Sequence, residues 1–101
     1  MNENERVQQD YVQEIIDLLR SGEDIEKLQG KLEEYHANDI ASALPLLEED
    51  ERKLLYNALE NERLGEVMEY AEHGYLYLEE MTSERAAIIL SEMEPDDAVD
   101  L

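Results

Sequence analysis

Residues 35–59 read YHANDIASALPLLEEDERKLLYNAL, and this stretch decides the fold because its register recurs to the end of the chain. It opens on Tyr35 and returns to an equivalent apolar residue at Leu47 and again at Leu59. Tyr70, Met81 and Met93 then take the same place, so the successive intervals are 12, 12, 11, 11 and 12 residues. Polar, cap-like pairs follow each anchor: Asn38-Asp39, Glu49-Asp50, Asn61-Glu62, Glu72-His73, Ser83-Glu84 and Pro95-Asp96. Eight residues after the anchors stand Ala43, Leu55, Val67, Leu78, Ile89 and Leu101. All six are apolar, a column that chance rarely produces at this composition. Each unit predicts a helix of about two to three turns. Two successive helices make a hairpin of about 23 residues that cannot bury its apolar stripe alone, so neighbours must stack.

Working outward, Pro45 is expected to end the helix that holds Ile40 and Leu44, and Pro95 suits the first turn of a helix starting near Glu94. Tyr75-Leu76-Tyr77-Leu78 alternates like a strand, but a lone four-residue strand lacks a partner, and a short helix after Gly74 is expected instead. Upstream, Val7, Tyr11, Ile15, Leu18 and Leu19 share one helical face. Ser21-Gly22 ends that helix, with Gly22 as a left-handed cap. Asp24 caps a second helix striped by Ile25, Leu28, Leu32 and Tyr35, with Gly30 as a weak point inside it. The expected architecture is all-α and α-solenoid-like. Residues 1–34 form an N-terminal helical hairpin of the same domain, and residues 35–101 form helical repeats of 11–12-residue units. The pattern stops inside a unit at Leu101, which predicts a longer parent protein.

The chain has 101 residues, 28 acids against 8 bases, and a formal net charge of −20. No basic stripe exists to meet nucleic-acid phosphate or an anionic membrane surface. Such a surface attracts cations or a basic protein. The excess is uneven: residues 1–63 carry 17 acids and 7 bases, whereas residues 64–101 carry 11 acids and one base, Arg85. With no cysteine, thiol metal sites, disulfides and thiol catalysis are excluded. No apolar run approaches the ~18 residues of a membrane span, and the polar, acidic start resembles no signal peptide. Cytosolic residence is the default expectation.

Catalytic constellations are missing. His36 and His73 stand 37 residues apart in no shared motif, the four glycines form no phosphate loop, and carboxylates do acid–base work only in a pocket that perturbs them. The sharpest signal is Glu94-Pro95-Asp96-Asp97-Ala98-Val99-Asp100. On a helix from Pro95, Asp96 and Asp100 share a face, while Asp97 points about 100° away, one residue's rotation at 3.6 residues per turn. Hard oxygen ligands without cysteine or histidine suit magnesium, with calcium or manganese able to take its place. The pattern is not an EF-hand loop. Acidic first turns are common for reasons of helix electrostatics alone, so a purely solvated face is the competing reading. Magnesium keeps several waters and takes only one or two protein carboxylates. Such a face is therefore expected to bind usefully only when a second acidic surface comes opposite.

The segment His36-Ala37-Asn38-Asp39-Ile40-Ala41, with Leu44-Pro45, Glu51-Arg52, Leu55, Glu66-Val67 and the closing Met93-Glu94-Pro95-Asp96-Asp97-Ala98-Val99-Asp100-Leu101, resembles the cytosolic N-terminal domain of the MgtE magnesium transporter family. The closing motif in its repeat setting is the most specific part. The resemblance implies a right-handed superhelix of short helices, followed in the full-length chain by CBS domains and a membrane pore domain, assembled as a homodimer. It also implies a regulatory, non-enzymatic role, in which magnesium bound between acidic surfaces closes the N domain against the CBS domains. The acidic positions it carries over are Asp96, Asp97, Asp100 and Glu66. The competing expectation is a free-standing helical-repeat adaptor that docks a peptide or basic protein without metal.

Overall fold

A computed structural model describes residues 10–93. Seven α-helices and one 3-10 turn follow in order: α1 (Tyr11–Leu19), α2 (Ile25–Leu32), α3 (Ala37–Ala43), the turn Leu44–Leu46, α4 (Glu49–Ala58), α5 (Asn61–Tyr70), α6 (Gly74–Leu78) and α7 (Ser83–Glu92). The fold is all-α. Helix starts are set by short polar side chains that satisfy otherwise orphaned first-turn N–H groups. Asp10 accepts from the Gln13 N–H and Asp24 from the Lys27 N–H, both at 3.0 Å. Thr82 accepts from the Arg85 N–H at 3.2 Å. At α4 the Glu51 carboxylate reaches back to the Glu48 N–H at 2.8 Å, one half of a capping box.

The repeat register is visible in the packing. Ala43, Leu55, Val67, Leu78 and Ile89 are all buried; Leu101, the sixth of that column, lies outside the described residues. The anchors sit at helix ends. His36, Glu48, Glu60 and Thr82, each one residue after its anchor, are the N-cap positions of α3, α4, α5 and α7. The expected cap pairs therefore fall inside the first turn, one to three residues too late, because the anchor closes one helix and the next residue opens another. The Tyr70 unit departs from this rule. Tyr70 is the last residue of α5, and α6 begins only after His73, whose φ of 61° is left-handed. The longer link leaves α6 with five residues.

Alternate helices stack. α1 lies on α3, α3 on α5 and α5 on α7, while α2 lies on α4 in a second row. Each hairpin thus shares one continuous core with the next, with Ile15, Leu28, Leu32, Ile40, Leu44, Leu55, Leu64 and Ile89 fully buried. Close approach of α5 and α7 requires Gly65, where a Cβ would stand 3.3 Å from the Glu92 Cβ. Gly74 is more demanding: a Cβ there would stand 2.8 Å from the Met68 carbonyl oxygen. Gly22 has φ +84° after α1, the left-handed exit expected of it. Leu44 belongs to the 3-10 turn rather than to α3, because the Pro45 ring tightens the chain there. Tyr35 lies beyond the end of α2, and Ile25 is 38% exposed, so the α2 stripe narrows to Leu28 and Leu32.

Candidate functional site

Three arginines fix the geometry on which the acidic surface is built. Arg63 and Arg85 each stand four residues after an anchor, in the first turns of α5 and α7. The Arg63 guanidinium donates to the Leu32 carbonyl at 3.2 Å and, more closely, to the Tyr35 carbonyl. It thereby satisfies the C-terminal end of α2. Arg85 does the same one hairpin later, donating to the Leu59 carbonyl at 2.7 Å and to Asn61 Oδ1 at 2.8 Å. Burial holds its guanidinium below the usual arginine range. Arg52 donates to the Leu47 carbonyl at 2.7 Å and pairs with Glu80 at 2.5 Å. Tyr56 also donates to Glu80, at 2.7 Å. Beside Arg52, the Glu80 carboxyl is held below the usual carboxylate range, and the pair raises Arg52 in turn. Burial first, and Glu14 second, push the Tyr35 phenol up to about 12. Arg52, Arg63 and Arg85 are thus occupied in holding the stack together.

Glu66 lies on the exposed side of α5, its side chain 58% accessible and its Oε1 3.7 Å from Arg63 Nη1. It borders an open groove of about 370 Å³ shared with Gln29 of α2, Glu33 at the C-cap of that helix, and Glu60, Glu62 and Arg63. Four exposed carboxylates therefore face one guanidinium that is already committed to carbonyl oxygens. A second hollow on the other side of Glu66 is lined by His36, Asn38 and Tyr70.

Asp96, Asp97 and Asp100 lie outside the described residues. Their register is nonetheless informative. Glu62 and Glu66 stand three and seven residues after Leu59, and Asp96 and Asp100 stand three and seven residues after Met93. The two carboxylate pairs therefore occupy equivalent places in two repeats. In the five described units the third position is exposed every time, at Asn38, Asp50, Glu62, His73 and Glu84. Among the described residues no three His, Asp or Glu side chains converge as a metal cage would require. Glu62 and Glu66 are both exposed, their carboxylates open to solvent. Sequence reading missed Glu33, Glu60 and Glu62 beside Glu66, and it missed the arginine clamps; the recurrence of Arg four residues after an anchor was the available signal.

Fold and surface together define a class: an all-α helical-repeat domain with an acidic face, whose described residues contain no helix long and apolar enough to cross a membrane. A model of the MgtE intracellular N domain matches residues 35–101. The chain belongs to that family, a transporter family. The match begins at Tyr35, the first anchor of the repeat, and takes in both carboxylate pairs. Neither a search of curated proteins nor one of solved structures returns a match.

Proposed function

We propose that this domain is a regulatory, non-catalytic magnesium sensor on the cytoplasmic side of its transporter, and that its acidic face closes against CBS domains of the same full-length chain when magnesium bridges the two. The observation that carries this reading is the pair of equivalent carboxylate positions, Glu62 with Glu66 and Asp96 with Asp100, in a family built into magnesium transporters. Opposed carboxylates repel at low magnesium. A hydrated divalent ion between them reverses the sign of the interaction, and it favours the closed arrangement only as far as it binds that arrangement better. Glu66, Asp96, Asp97 and Asp100 are the ligands assigned on this side. Magnesium is the regulatory ion, with calcium or manganese as weaker mimics, and the transporter acts as a homodimer.

Small-angle scattering of the domain joined to its CBS partner tests the reading. Magnesium should lower the radius of gyration, and Asp96→Ala with Asp100→Ala should abolish that change. No compaction in the wild type, or the same compaction in the variant, would refute it. The adaptor reading draws on exposed Tyr70 and Tyr75, each 64% accessible, and predicts partner capture that is indifferent to magnesium.

A further inference from the structure

Where α5 ends beside α3, the stack leaves a hollow of about 410 Å³. Its wall carries Ser42 of α3, Pro45 of the 3-10 turn, Tyr70 of α5, Glu72 and His73 of the link, and Tyr77 of α6. Tyr70 separates it from the hollow beside Glu66 and borders both. The two sides differ in chemistry. The acidic groove is walled by carboxylates, whereas this hollow is walled mainly by rings. Tyr70 leaves 64% of its surface in water, and the Ser42 hydroxyl is spent on the Asn38 carbonyl at 3.0 Å.

Three features favour a cation here, and a guanidinium above an ammonium. First, the hollow lies against the C-terminal end of α5 at Tyr70 and Ala71, where last-turn carbonyls carry partial negative charge. Second, Glu72 on its wall is exposed, and no lysine or arginine lines it. Third, aromatic faces attract cations, and the fold already uses one of these rings in that way: the Arg52 guanidinium stands 5.6 Å from the Tyr77 ring centroid. Arg52 is neutralised by Glu80, so it adds no net charge beside the wall. A planar guanidinium stacks on such rings and is more weakly hydrated than an ammonium. Every arginine among the described residues is engaged elsewhere: Arg20 with Glu51, Arg52 with Glu80, and Arg63 and Arg85 with carbonyl oxygens.

We propose that this hollow docks an arginine side chain of a basic partner protein, its guanidinium stacked on Tyr70 and facing the Glu72 carboxylate. The net charge of −20 draws a basic partner and repels a second copy of the chain. Docking does not depend on magnesium, so its failure leaves the magnesium reading untouched.

A flexible glycine–serine peptide carrying spaced arginines is the probe. It is titrated into the full chain in metal-free buffer, and the ring resonances of Tyr70, His73 and Tyr77 are followed by NMR. Matching peptides carry lysine, or citrulline, which keeps the shape of arginine without its charge. The arginine peptide should move these rings and bind more tightly than the lysine peptide, and the citrulline peptide should not bind. Tyr70→Leu should weaken the arginine peptide roughly two- to fivefold, the loss of one exposed cation–π contact, while Tyr70→Phe should keep wild-type affinity. Glu72→Gln should weaken the arginine and lysine peptides alike. Both side chains are exposed, and an unchanged melting curve shows that the fold persists. Equal affinity for arginine and lysine, or an arginine affinity that Tyr70→Leu leaves unaltered, overturns the proposal, because the diffuse acidic surface would then hold the peptide. So do ring resonances that stay in place throughout the titration.

Discussion

Replacing Arg85 by Met keeps most of the aliphatic stem and removes only the guanidinium. Two charge-assisted hydrogen bonds are lost, at 2.7 Å to the Leu59 carbonyl and 2.8 Å to Asn61 Oδ1. Asn61 stands at the start of α5 and can turn to water. The Leu59 carbonyl ends α4, under the stacked hairpin, and is left unpaired. A hydrogen bond to a charged donor is worth about 1.5–3 kcal/mol net. Partial exposure of Arg85 places the loss in the lower part of that range, about 1.5–2 kcal/mol. For a domain of this size each kcal/mol moves Tm by about 4–8 °C, so a fall of about 6–16 °C is expected. Arg20→Met is the control. It removes the same charge, but from an exposed pair with Glu51, and exposed pairs contribute little. Thermal unfolding followed by circular dichroism reads both variants side by side. Equal shifts would refute the idea that arginines four residues after an anchor clamp the preceding hairpin.

Gly30 and Gly74 should respond in opposite directions to alanine. A Cβ at Gly30, within α2, meets nothing within 4 Å, and Gly30→Ala is expected to add about 0.5–1 kcal/mol in urea unfolding. Gly74→Ala would set a Cβ 2.8 Å from a backbone oxygen and should cost about 1–3 kcal/mol; gains at both sites would contradict the packing described between α5 and α6. The Arg52–Glu80 pair predicts an acid limb. Glu80 is held below its ordinary value of 4.5 in the fold, so its contribution is complete above that pH and is lost as pH falls through the lower folded value. Glu80→Gln should therefore flatten the decline of Tm as pH falls below about 4.5, and parallel curves for variant and wild type would count against the pair.

The buried column was legible before any coordinates because an 11–12-residue recurrence forces equivalent burial in stacked units. Ala43, Leu55, Val67, Leu78 and Ile89 follow from spacing alone. The caps were less legible. Asn38, Asp50 and Glu62 are good first-turn residues, and nothing local distinguishes that role from capping; the N-cap places fall to His36, Glu48 and Glu60 because the anchors end helices. The arginine clamps could not be read from local sequence. Whether Arg63 meets the Tyr35 carbonyl depends on α5 stacking beside the end of α2, a contact 28 residues distant. The same holds for the acidic groove. Glu66 was visible as a family position, but Glu33 joins it only through the approach of α2 to α5.

Affinity of this chain for its separately produced CBS partner, measured by calorimetry at constant ionic strength while magnesium replaces sodium, tests the central claim most directly. Affinity should rise with magnesium, and the rise should vanish when Asp96 and Asp100 are replaced by alanine. An affinity that magnesium leaves unchanged, or lowers, contradicts the account.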